Sequence, residues 1–216
     1  MRQISRLSVI AVSTALLMTL SSCSSTQSTL EADDQPSTPI ENREMTSDVQ
    51  EDKANGDSPQ ESVTDAANFE ITENEDGTVT ISRYIGTETD IVIPSQIDGK
   101  TVSAIGNVMG TTGAFEGCTS ITAVVIPDGV TEIQDNAFYG CSSLETVTIS
   151  SSVTLLRNCA FCDCPNLRAV YFKGDAPQQA NYVFDSTENV TIYYQDGTSG
   201  WENPWHGRPA EVYIPE

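Results

Sequence analysis

Histidine is nearly absent: His206 is the single one in 216 residues, which leaves little scope for Ser/His or Cys/His nucleophilic chemistry. Basic residues are scarce too, with 10 Lys and Arg against 31 Asp and Glu, a net charge of −21. A chain this negative repels phosphate backbones, which argues against a nucleic-acid partner. Anionic headgroups repel it as well, so any membrane attachment must be covalent or inserted. No phosphate loop, dinucleotide fingerprint, G-x-S-x-G or H-E-x-x-H pattern occurs, and runs such as "QDGTSG" lack the calcium-loop spacing. No catalytic residue, metal site or cofactor is therefore expected. After Asn68 there remain 20 acidic and 6 basic side chains, taken as solvated surface; a small hydrolase using two of the carboxylates is the least favoured alternative.

A long apolar run is missing as well. The best candidate, Leu7 to Leu20, is diluted by Ser and Thr and falls short of the roughly 20 residues of a spanning helix. With Arg2 and Arg6 ahead of it, it suits an export signal over residues 1–22. The run ends in "LSSC", residues 20–23, which resembles the lipobox of bacterial lipoproteins. That resemblance implies that Cys23 becomes the mature N-terminus and carries a thioether-linked diacylglycerol, holding the protein to the outer side of the cell membrane.

From Ser24 to Ala67 there is no aromatic residue, and residues 24–68 hold 11 acidic and 2 basic side chains. Such a stretch buries too little apolar surface to offset the entropy of ordering. Residues 23–68 are expected to be the lipidated cysteine and a disordered acidic tether, spanning about 35–40 Å as a random coil. Order is expected from Phe69, where "FEITENEDGTVTISRY" alternates on both sides of Asp76-Gly77, a strong hairpin signal. Residues 69–101 are assigned to an N-terminal hairpin cap.

Beyond this cap the chain repeats with a period of 23: Ala114-Phe115, Ala137-Phe138 and Ala160-Phe161; Cys118, Cys141 and Cys164; Ile121, Leu144 and Leu167; Val124, Val147 and Val170. The unit reads V-x-x-I-x-x-x-A-F-x-x-C-x-x-L-x-x-V-x-I, with five extra residues in the first copy. Its V-x-I end alternates like a short strand, and its A-F-x-x-C part suits a tight or helical turn. One unit cannot bury its apolar side alone, so the units must stack into a solenoid. About three units are expected over residues 102–172, closed by an aromatic C-terminal cap at 173–216 in which Trp201 and Trp205 cover the last coil. "VIPDGVTEIQDNAFYGCSSLETVTIS" resembles the BspA-like leucine-rich repeats of bacterial surface proteins, and the C-terminal "YFKGDAP" and "TIYYQDGTSGWENPWHG" are similar to the closing segment of that family.

Three of the sulfurs, Cys118, Cys141 and Cys164, share one repeat column. Side chains about 4.8 Å apart along such a column sit too widely for a disulfide, so buried structural thiols are expected there. Cys159 and Cys162 replace Asn136 and Tyr139 of the preceding unit on a turn expected to be partly exposed. They are left as free thiols, a local bridge, or, least favoured, a metal or redox site, which would lack four ligands.

The middle residue of V-x-I faces away from the core, which lines up Val125, Thr148 and Tyr171, with Tyr193 as an extension. Thr146 and Ala169, with Ala123, form a second outward column. These columns are the candidate binding face. The family resemblance implies a cell-surface adhesion or protein-binding module with a host or cell-surface protein as partner. An envelope scaffold or glycan-binding module is the alternative.

Overall fold

The computed structural model describes residues 62–106, 112–179 and 182–214. The expected export signal, Cys23 and most of the expected tether lie outside the described residues, as does most of the insertion in the first unit. The chain joins the fold ahead of Phe69. Thr64 is buried, and its N–H donates to the Val92 carbonyl at 2.9 Å while its hydroxyl accepts from Val92 N–H at 3.0 Å. A 3-10 turn at Ala66–Asn68, with Asp65 accepting from Ala67 N–H, then leads into the first strand.

β1 (Phe69–Glu73) and β2 (Val79–Tyr84) form the antiparallel hairpin expected around Asp76-Gly77. Asp76 accepts from both the backbone and the hydroxyl of Thr78, and Gly77 takes φ +83°. β3 (Asp90–Val92) and β4 (Gln96–Ile97) come next, and β5 (Lys100–Ile105) pairs in parallel with β2. From there each coil contributes two short strands. The V-x-x-I part gives β7 (Glu132–Ile133), β9 (Leu155–Leu156) and β11 (Gln178–Gln179). The V-x-I part gives β6 (Ala123–Ile126), β8 (Thr146–Ile149), β10 (Ala169–Phe172) and β12 (Thr191–Gln195), with β13 (Ala210–Tyr213) last. Two sheets result, one ordered β1-β2-β5-β7-β9-β11 and the other β13-β12-β10-β8-β6-β3. Apart from the hairpins at β1 and β4, every pair is parallel.

The alternation of the V-x-I segments appears directly in burial: β6 and β8 run half-exposed, buried, half-exposed, buried. The core between the sheets is filled by the repeat columns. Phe115, Phe138 and Phe161 are 0% exposed and their rings stack face on face, 4.7 Å and 5.1 Å apart at 14° and 6°. Such separations fall inside the range of favourable aromatic pairs. Tyr84 stacks on Phe115 at 5.2 Å, so the hairpin strand β2 supplies the first ring of the column.

The stacking does not stop at Phe172, the expected end of the repeats. Phe184 lies 23 residues after Phe161 and stacks on it at 5.7 Å, Thr187 takes the cysteine position, and Val190 takes that of Leu167. Val183 stands where the repeat has Ala, and β12 begins one residue early. Those substitutions hide the coil from a pattern built on A-F-x-x-C, though backbone and core treat it as one more unit. The true cap comes later. Trp201 and Trp205 pack on Phe172 at 4.9 Å and 5.6 Å, and Trp201 stacks on Tyr194 at 5.1 Å.

A ring sandwiched on both faces should be the costliest to remove. Phe138→Ala is expected to destabilise the protein by about 3–5 kcal/mol, read from the guanidinium midpoint. Tyr139→Ala, one residue on at an exposed site, should stay within about 0.5 kcal/mol. Equal effects would show that the column does not carry the core.

Candidate binding face

The outward columns are set by strand register. β6, β8, β10 and β12 pair in parallel with Val125, Thr148, Tyr171 and Tyr193 in one row, and β3 and β13 extend it with Val92 and Glu211. Val125, Thr148, Tyr171 and Tyr193 are all half-exposed. The Tyr171 and Tyr193 rings stack at 5.0 Å and 16°, and Tyr213 meets Tyr171 edge-on at 5.4 Å. Three tyrosines thus form one cluster at the C-terminal half of this face. Burial, then the neighbouring Tyr171, raises the Tyr213 phenol above its usual pKa. Tyr213 was not among the expected face residues. Its signal is the alternation in "AEVY" close behind "TIYY", obscured because the last crossing takes 18 residues, from Ile192 to Ala210, rather than 23.

The second column is less open than expected. Ala123, Thr146 and Thr191 are half-exposed, but Ala169 is only 7% exposed. Register places Ala169 between Thr146 and Thr191. A lone methyl between two longer side chains offers a partner almost no surface, so Ala169 is dropped from the face.

The cysteine column lies inside. Cys118, Cys141 and Cys164 are buried and not disulfide-bonded. They do more than fill space. The Cys141 thiol donates to the Phe115 carbonyl and the Cys164 thiol to the Phe138 carbonyl, both at 3.1 Å. In the next coil the Thr187 hydroxyl donates to the Phe161 carbonyl at 2.7 Å. The column therefore selects a small side chain with one donor, because each Phe carbonyl lies in the core and takes a donor from the coil that follows. The neighbouring Cys164 thiol and burial push the Cys141 thiol well above its ordinary pKa, which makes it a poor nucleophile.

Cys159 and Cys162 are joined by a disulfide, with Cα atoms 4.6 Å apart. The turn itself supplies this proximity. Cys162 N–H donates to the Cys159 carbonyl, as Tyr139 N–H does to Asn136 one coil earlier. Cys159 takes φ +53°, where Asn136 has +58° and Tyr182 +68°. The expectation of a partly exposed turn holds for half-exposed Cys159 and fails for Cys162, which is 2% exposed beneath the last coil. Among the described residues no three His, Cys, Asp or Glu side chains are grouped as metal ligands would be. Trp205 is buried and Trp201 is occupied by Phe172 and Tyr194, so neither ring presents a free platform for a sugar.

The repeat carries a recognisable family pattern. A model described as a BspA type leucine rich repeat region matches in six copies across residues 99–201, reaching past the expected last unit into the additional coil. A leucine rich cell surface protein from Faecalibacterium prausnitzii A2-165 superposes on 74% of this chain at 30% identity, with a TM-score of 0.52; this chain spans 44% of that one. A leucine-rich repeat protein from Bacteroides capillosus ATCC 29799 superposes on 61% of this chain and 99% of its own, at 25% identity and a TM-score of 0.50. A comparison with curated proteins found no match.

The sulfur assignments can be counted. With Cys23 replaced by serine, the denatured protein should titrate three thiols before reduction and five after it. Five before reduction would show that the Cys159–Cys162 bridge is absent.

Proposed function

Residues 99–201 belong to the BspA type leucine rich repeat family, and on that premise we propose that the protein is a partner-binding module displayed outside the cell. The observation that carries this reading is the tyrosine cluster on the outward sheet face. Tyr193 and Tyr213 both pack on Tyr171 on a rigid parallel sheet, with Val125 and Thr148 continuing the row. Tyrosine brings large contact area at low entropic cost and a polar tip that tolerates water when unbound, which suits an interface anchor. A face built from stacked coils offers one long strip to a protein partner.

The anchor is part of the same proposal. Cys23 carries lipid, and the acidic residues after it hold the repeat domain away from the membrane. A surface location is in keeping with the cell surface protein from Faecalibacterium prausnitzii named above. Two acyl chains suffice for stable attachment where one gives marginal binding. Radiolabelled palmitate should enter the wild-type protein in a bacterial host and be lost in Cys23→Ser; equal labelling of both would reject the anchor.

For the face, Thr148→Asp and Tyr171→Asp should lower capture of surface-protein ligands by at least about tenfold, the loss of one good interface anchor. Both positions are half-exposed, so the unfolding midpoint should move little. Unchanged capture would reject this face, and glycan-array hits that survive both substitutions would point to sugars bound elsewhere.

A further inference from the structure

Each turn of the solenoid makes the same backbone contact with the coil after it. The N–H groups of Tyr84, Phe115, Phe138 and Phe161 donate to the carbonyls of Ala114, Ala137, Ala160 and Val183 at 2.7–2.9 Å. Two or so residues on, those of Gly117, Gly140 and Asp163 donate to Tyr139, Cys162 and Asp185 at 2.8–3.0 Å. The ladder ends at the last turn. There the corresponding N–H groups, on Phe184 and Ser186, have no partner among the described residues. The C-terminal segment covers only the acceptor of this turn: Arg208 Nη2 donates to the Phe184 carbonyl at 2.8 Å. In earlier coils that role falls to the next Cys or Thr side chain.

The unpaired edge opens on a groove of ≈ 480 Å³ bordered by Gln179, Tyr182, Phe184, Asp185, His206 and Arg208. A second observation marks the groove as unfilled. Gln179 Oε1 is buried without a hydrogen-bond partner among the described residues, and a buried acceptor left so costs about 1–3 kcal/mol. Tyr182 stands 72% exposed beside it, though it is a large aromatic.

We propose that this groove binds an extended segment of a partner polypeptide that offers two carbonyls flanking one aromatic side chain. The preceding coils specify that ligand. In each, the carbonyls before and after Phe meet the two N–H groups, and the Phe ring stacks 4.7–5.7 Å from the ring below. A guest strand would add one more rung, pairing with Phe184 and Ser186 and stacking on Phe184, as peptides add to sheet edges. A folded second copy cannot serve through these repeats, because Phe115, Phe138 and Phe161 are 0% exposed. The occupant is therefore a segment extended before it docks. This site is separate from the tyrosine face and does not depend on it.

The test titrates the full ¹⁵N-labelled chain with an acetylated, amidated peptide of residues 134–143 carrying Cys141→Thr, the residue type found at Thr187. Saturable shifts and slowed exchange are expected at the Phe184 and Ser186 amides. The same peptide with Phe138→Asp should bind about tenfold more weakly, the loss of a stacked aromatic. Tyr182→Asp in the protein, at an exposed wall of the groove, should also weaken binding at an unchanged unfolding midpoint. Absent or non-saturable shifts, equal binding of the two peptides, or shifts confined to Tyr171 and Tyr193 would each overturn the proposal. So would slow exchange of both amides in the free chain, which would mean that its own outlying residues fill the groove.

Discussion

No coil of this protein can satisfy itself, and the rest of the structure depends on that constraint. Each turn buries a Phe whose N–H needs a carbonyl from the next coil and whose own carbonyl takes a donor from the same place. A backbone group buried without a partner costs roughly as much as a lost hydrogen bond. Stacking therefore meets two demands at once, apolar burial and backbone pairing. The 23-residue period is the chain length that returns both to register. An insertion is tolerated only where it loops out, and the ladder resumes in register after the first unit's five extra residues.

The turn imposes a second constraint, conformational rather than energetic. The residue before the cysteine column adopts φ between +55° and +69° at Gly117, Gly140, Asp163 and Ser186. Gly accepts this region freely, while Asp and Ser do so at some strain. Later coils thus carry less ideal residues than earlier ones at the same backbone geometry. The disulfide sits in the coil where Asp163 replaces Gly. We have no account of why that coil carries a bridge while the others do not.

Much of this was legible in the residues. The hairpin at Asp76-Gly77, the parallel stack, the inward cysteines and the outward row from Val125 to Tyr193 all come from alternation and period, because each depends on side-chain class alone. Three features were harder to read. The additional coil was hidden because Val183, Thr187 and an early β12 break the letter pattern while preserving size and donor capacity. Ala169 was placed outward, but alternation reports direction and not the height of neighbours. The thiol hydrogen bonds were missed because a cysteine among apolar residues reads as a small hydrophobe. Thr187, 23 residues beyond Cys164, was the available clue that a donor is what the column requires.

The ends of the stack obey the same rule and resolve it differently. At the start, β2 runs parallel to β5 and gives Tyr84 to the ring column, with Phe69 tilted over it at 5.5 Å, so the first rung has both ring and backbone partners. At the far end the closing work is split. β13 and the two tryptophans cover the half formed by β10 and β12, whereas the turn half receives, among the described residues, one hydrogen bond from Arg208. A side chain can donate to one carbonyl, but it cannot supply the pair of carbonyls that a following turn would bring. The asymmetry is therefore intrinsic to capping a backbone ladder with a loop. Among the described residues, it leaves the last turn still presenting the backbone donors by which the preceding coils recognise one another.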